Sequence, residues 1–350
     1  MRKKVIILVL GAILTLSACG SNYEQYPVPE QEIPDEQPSE TQQQHSHPSI
    51  QPIVRLEDAA DLISTRGGRT ESAAAVASGA NDFAFRLSAS LLQDVGYDNL
   101  VVSPYSVWMP LAALVNATTQ AHRPALLEAL GAGGISVEDV NQAASRMLFD
   151  LTNQQPRRDD WGESQLHIAN AVFVNHNTPL RRDFAQTFAD YFRGSAFNLD
   201  FTSQEAVDAV NLWASDNTDG LINEVIQEFA PNTIAAIANA IYFSGSWVDS
   251  FNPHATRLDT FYSPAGESEA YFMHREGLFS YFEDENVQAV TLGFFGGSAM
   301  TIILPYNGDA VGFLSDMTSE YLDIMGSESV LAEGKLLLPR FSVENTLDNL

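Results

Sequence analysis

One cysteine, Cys19, is the whole thiol content of these 350 residues. An internal disulfide and a CxxC redox pair are both excluded. Basic residues are scarce: 18 Lys and Arg stand against 45 Asp and Glu, a formal net charge of −27. A surface of that sign repels phosphate backbones and sulfated polyanions, so nucleic acid is excluded as a partner. Solubility is the plainer reading of the same charge. No GxSxG elbow, HExxH pair, P-loop or GxGxxG occurs anywhere. The seven histidines are scattered and form no ligand cluster. Ser298, in Gly296-Gly297-Ser298-Ala299-Met300, comes nearest to a nucleophile elbow but lacks the trailing glycine. His274 with Glu276 is a lone i,i+2 pair, read as a solvated turn rather than an acid/base couple. These absences point away from an enzyme, and from any metal or other cofactor.

The lone cysteine has a place that explains it. Met1–Cys19 reads MRKKVIILVLGAILTLSAC: a basic start, an apolar run from Val5 to Leu16, then Leu-Ser-Ala-Cys. This is a secretory signal of bacterial lipoprotein type, in which small residues admit a signal peptidase and Cys19 is acylated. An ordinary export signal with a stray cysteine is the alternative. The apolar run is too short for a transmembrane helix. Residues 20–69 follow as a tether rich in Pro, Glu and Gln, unable to bury enough surface to order itself. The expected organisation is therefore a signal peptide at 1–19, a tether at 20–69 and one folded domain from 70 to 350. The expected location is a cell membrane or outer membrane, exposed outside the cytoplasm.

Within the domain, Ile234–Trp247 (IAAIANAIYFSGSW) is the stretch around which the rest is arranged. A continuous apolar run stopped by Gly245 reads as a strand buried on both faces, with a buried helix as the rival. Asn239 is its odd residue. In mid-sheet its amide costs about 1–3 kcal/mol unless partnered. A near-echo lies upstream: Ile168-Ala-Asn-Ala-Val-Phe173 parallels Ile237-Ala-Asn-Ala-Ile-Tyr242. The two are candidate neighbours in one sheet, although buried strands also resemble one another by chance.

The remaining pattern is mixed. Helices are expected at 71–93, capped by Thr70, and from Ser103-Pro104, with serine as cap and proline in the first turn. Further helices fall at 124–131, 137–151, 181–193 and 203–216, with short strands at 100–102, 166–174 and 196–201. After Trp247 come short strands at 260–262, 270–273, 279–282, 287–294 and 299–304, then helical pieces at 309–317 and 319–325. Leu336–Glu344 reads as a last strand, expected in the same sheet as 166–174 and 234–243. The final residues look like a helix just begun, so the sequence is read as truncated.

Laid out in this order, the chain from about Asn81 to Leu350 resembles the serpin family. The resemblance rests on separated blocks: Asn81-Asp-Phe-Ala-Phe85, Asn99-Leu-Val-Val-Ser-Pro-Tyr-Ser106, Leu166–Val174, Ile234–Trp247, Thr260-Phe261-Tyr262, Met273-His274, Phe279–Asp284, Met300–Pro305 and Leu338-Pro339-Arg340-Phe341. It implies an α+β fold: a large mixed β-sheet A, smaller sheets B and C and about eight helices, incomplete at the C-terminus. It implies that Asn239 joins Ser103 and Ser106 in a buried cluster, the shutter, where sheet A opens. Ser103 alone also serves as a plain helix cap. Trp247 matches the tryptophan at the top of sheet A, the breach, where a reactive loop first inserts; ordinary core packing is its other reading.

The resemblance implies an inhibitor of serine or cysteine proteases and no catalytic residue of its own. A cleaved reactive loop inserts into sheet A as a new strand and distorts the acylated protease. The reactive bond is not in this chain. A non-inhibitory serpin-fold binding or structural lipoprotein is the alternative. The expected partners are a target protease and, through Cys19, a lipid membrane; the expected state is a monomer. Two departures stand out: Asn116-Ala-Thr-Thr-Gln120 replaces a glycine-bearing turn, and Ser244 replaces the family's usual lysine.

Overall fold

The computed structural model describes residues 52–54, 70–96, 99–152, 164–178, 180–263 and 266–343. Cys19, the expected signal peptide and nearly all of the expected tether lie outside the described residues, as does the chain beyond 343. Within the expected tether, Pro52–Val54 forms a short strand, β1.

Four helices and one sheet make the first half. The helices α1 (Glu71–Val95), α2 (Pro104–Leu114), α3 (Arg123–Ala129) and α4 (Val137–Thr152) precede strand β2 (Ser164–Asn175). Thr70 caps α1, its side chain accepting from the Ala73 N–H at 3.1 Å. Residues 99–103, expected to include a short strand, carry none. Then come α5 (Arg182–Phe192), β3 (Gly194–Leu199), α6 (Gln204–Asp216) and β4 (Ala235–Gly245). These strands form one sheet in the order β1-β3-β2-β4, with β2 and β3 parallel and β2 and β4 antiparallel.

The continuous apolar runs are explained by cover on both faces. Val172 and Val174 of β2 point into a core built from α1, α2, α4 and α5. Ala171 and Phe173, on the opposite face, pack against Ala206, Ala209 and Val210 of α6. A strand sealed on both sides has no polar face to alternate with. On α5, Phe184, Phe188 and Phe192 stack in series at 6.0 and 6.1 Å. The chain then enters β3 at Gly194, where a Cβ would fall 2.2 Å from the Phe188 ring. Only glycine fits there.

The second sheet contains β5 (Arg257–Ser263), β6 (Gly266–Glu283), β7 (Val287–Gly293), β8 (Ala299–Pro305) and β9 (Val330–Pro339). The expected strands at 270–273 and 279–282 are one strand, because β6 runs unbroken through Gly277, whose φ is +146°. Its first half pairs with β5 and the end of its second half with β7, so the whole sheet is joined through it. Helices α7 (Ala310–Asp316) and α8 (Ser319–Glu328) connect β8 to β9.

The expected placement of Leu336–Glu344 in the sheet of β2 and β4 is corrected. The strand ends at Pro339 and lies in the second sheet, pairing with β6 from Phe272↔Pro339 to Tyr281↔Val330. Its buried Leu338 joins Met273, Phe279 and Trp247 in that sheet's core, and this packing decides the choice of sheet.

Candidate functional site

Two buried serines open α2. Ser103 and Ser106 are 1% and 4% exposed, and their hydroxyl oxygens lie 3.1 Å apart. Ser103 occupies the cap position of α2, but its side chain makes no capping bond to the helix. The plain cap reading is thereby set aside: the hydroxyl is turned toward Ser106. Helix α2 packs against β4.

Asn239 is buried in β4, directly opposite Asn170 of β2. Its Nδ2 donates to Asn170 Oδ1 at 2.8 Å, and Asn170 Nδ2 donates to the Phe192 carbonyl at 2.8 Å. Phe192 ends α5, so the amide ladder also satisfies one of that helix's last carbonyls. The bond found for Asn239 therefore goes to Asn170, not to a serine. Asn239 Oδ1 is buried and has no partner among the described residues. Asn170 was missed as a site residue, although the echo of Ile237–Tyr242 in Ile168–Phe173 put an asparagine at its centre.

Trp247 lies just past the end of β4 and is 2% exposed. Its ring stacks on Phe294 at 4.2 Å and meets Phe251 edge-on at 6.0 Å. An isolated bridge also joins the Trp247 and Phe294 backbones. Its Nε1 is buried without an acceptor among the described residues, which costs about 1–3 kcal/mol. Gly245 lets this cluster close: a Cβ there would lie 2.7 Å from Phe243 and 3.0 Å from Ser164 Oγ. The end of β4 is thus an aromatic plug, with the Asn239 amide further down the same strand.

β4 itself is an edge. It pairs with β2 on one side and with no strand on the other among the described residues. Along that side run backbone N–H and C=O groups, which a further strand would satisfy.

The turn at Asn116–Gln120 closes without glycine. Asn116 and Asn141 exchange side-chain amide hydrogen bonds at 2.9 and 3.0 Å, and Thr118 donates to the Leu114 carbonyl at 2.8 Å. The expected solvated turn at His274 is corrected: both His274 and Glu276 lie inside β6, and His274 is buried. No group of three or more His, Cys, Asp or Glu among the described residues could hold a metal ion, and no described helix is long and apolar enough to cross a membrane.

Residues 78–349 match the family model for Serpin (serine protease inhibitor). An uncharacterized serpin-like protein of Methanosarcina mazei is 24% identical over 278 residues, 77% of this chain and 64% of the relative. The chain thus spans less than two thirds of that relative's length. Mouse corticosteroid-binding globulin is 26% identical over 273 residues, 76% of this chain and 67% of the relative. Among solved structures, the native state of the thermophilic serpin tengpin superposes with a TM-score of 0.70 at 21% identity, covering 83% of this chain and 72% of tengpin. The α+β architecture described above is that of a serpin.

Proposed function

Because the chain belongs to the serpin family, we propose that it inhibits serine or cysteine proteases as a suicide substrate, held at a bacterial cell envelope by a lipid on Cys19. The observation that supports inhibition most is the state of β4. Among the described residues it pairs with β2 alone, is buried from Asn239 to Phe243, and leaves the Asn239 amide oxygen without a partner. An added strand finds its main-chain partners there and gains affinity from them alone. In this reading the protease cuts an exposed loop and forms an acyl-enzyme. Insertion of that loop beside β4 then carries the protease along and deforms its active site. The inhibitor contributes no nucleophile.

The envelope location rests on the order of residues in Met1–Cys19 and on the Pro/Glu/Gln-rich spacer behind it. The protein, expressed as its gene encodes it, is incubated with trypsin, chymotrypsin, subtilisin and papain and examined on denaturing gels. An SDS-resistant adduct with at least one protease is expected. Cleavage by all four with no adduct would overturn inhibition.

A second reading, a non-inhibitory binding protein, draws on the 26% identity to a corticosteroid-binding globulin. It is favoured if cleavage occurs without an adduct and without a rise in thermal stability, since loop insertion is what would raise it.

A further inference from the structure

The second sheet contains a buried titratable group that the inhibitory reading leaves unused. His274 sits in the first half of β6, on the face that also carries Arg257 of β5, opposite Phe272, and Lys335 of β9, opposite Glu276. His274 is 7% exposed. Arg257 Nη2 lies 3.3 Å from His274 Nδ1. A guanidinium can only donate, so Nδ1 accepts and the proton of the neutral ring sits on Nε2. That Nε2 is buried and has no partner among the described residues.

This geometry holds only for a neutral ring. A proton on Nδ1 would set donor against donor at Arg257 and enclose a cation that no acceptor meets. The surrounding charges oppose it as well. β5 brings Arg257 and Asp259, β9 brings Lys335, and β6 brings Glu276, while the 3-10 turn Pro253–Ala255 packed on β6 carries His254. Lys335 and Glu276 are themselves paired at 3.1 Å. Burial, then Arg257 and Lys335, hold the imidazole below the ordinary histidine value; Asp259 and Glu276 offset this in part.

β5 depends on this face. Among the described residues it pairs with β6 alone, over Arg257↔Phe272 to Ser263↔Gly266. The Phe261–Phe272 ring contact, at 6.4 Å, and the Ser263 hydroxyl donating to the Gly266 carbonyl at 3.0 Å are further ties to β6. We propose that His274 is a pH-sensitive latch: neutral, it accepts from Arg257 and fastens β5 to β6, and protonated it repels Arg257 and releases β5 as a separate unit.

The sign follows from linkage. Releasing β5 removes Arg257 and part of the burial, so the ring titrates closer to the ordinary value of 6.5 than it does with β5 fastened. The fastened state keeps its full advantage above pH 6.5 and loses it as pH falls toward the lower value. Over that window the opening constant rises by up to about tenfold per pH unit.

Amide hydrogen exchange of the intact protein, read by mass spectrometry and corrected for intrinsic rates, tests this. Peptides covering 257–263 should open more readily at pH 5.5 than at pH 7.5, by up to about tenfold, while those of β7 and β8 stay unchanged. His274→Phe, which keeps a buried ring without a titrating nitrogen, should abolish the increase. Arg257→Gln, at an exposed position, should reduce it and guards against misfolding of the first variant. An unchanged β5 in the wild type overturns the latch. So does an equal increase in the His274→Phe protein, or one shared by β7 and β8.

Discussion

Asn170→Ala should destabilise the domain more than Asn239→Ala, although both remove the same 2.8 Å hydrogen bond. The asymmetry lies in what each side chain leaves behind. Removing Asn239 strands the Asn170 Oδ1, a buried acceptor whose loss of partner costs about 1–3 kcal/mol. It also removes Asn239 Oδ1, which already lacks a partner, and so returns a similar amount. The expected net cost is about 0–1 kcal/mol. Removing Asn170 relieves nothing. It strands Asn239 Nδ2, takes the donor from the Phe192 carbonyl and leaves Asn239 Oδ1 as it was. Two newly unsatisfied groups put the cost at about 2–5 kcal/mol. Urea unfolding followed by tryptophan fluorescence separates these values. With a slope of about 3 kcal/mol/M, a difference of about 2 kcal/mol moves the midpoint by about 0.7 M. The double variant adds a second check, since residues in one hydrogen-bond network couple by about 0.5–3 kcal/mol. Equal costs, a larger cost for Asn239→Ala, or strict additivity would refute this account of the pair.

Trp247→Phe should leave thermal stability nearly unchanged, because it removes the unpartnered Nε1 and keeps the ring on Phe294; Trp247→Ala should cost about 3–5 kcal/mol in the same melt. Gly79→Ala should be strongly destabilising, by about 1–3 kcal/mol or more on chemical denaturation. Its Cβ would meet the Gly131 carbonyl oxygen at 2.0 Å, and backbone cannot rotate away. For Asp284, burial raises the carboxyl, but the Tyr321 hydroxyl at 2.6 Å and the Asn286 and Val287 N–H groups outweigh it and hold it below the usual carboxylate value of 3.8. Its contribution is therefore present above that value and lost as pH falls through the lowered one. Tyr321→Phe should shrink that acid-side loss and cost about 1 kcal/mol at neutral pH, measured by unfolding between pH 7 and pH 2. Cys19→Ser should move the protein from the membrane to the soluble fraction of expressing cells, and identical partitioning would defeat the proposed anchor.

Local signals carried much of the fold. Ser203 of the expected helix at 203–216 caps α6 by accepting from the Ala206 N–H at 3.3 Å, and the Phe184-Phe188-Phe192 spacing falls on one buried face of α5. The unbroken apolar run in Ile234–Trp247 marked a strand covered on both sides, and the echo at Ile168–Phe173 marked its neighbour. Part of the candidate site was legible for the same reason: an asparagine inside an apolar strand must find a partner, whatever the fold.

The sequence by itself therefore determined most of the helices and the two central strands, though not the absence of a strand at 100–102 or the continuity of β6, because periodicity and desolvation act on each segment alone. Which groups meet was decided only by the tertiary structure. The partner of Asn239 is a residue 69 positions away, chosen by the antiparallel register of β2 and β4. The last strand joins β6 because Leu338 packs with Met273 and Phe279, and a strand's own pattern of apolar residues fits any sheet that offers a core. His274 and Glu276 looked like a turn because a short polar pair carries no mark of burial. Only pairing β6 with β5 and β9 on its two edges encloses the ring and sets Arg257 against it.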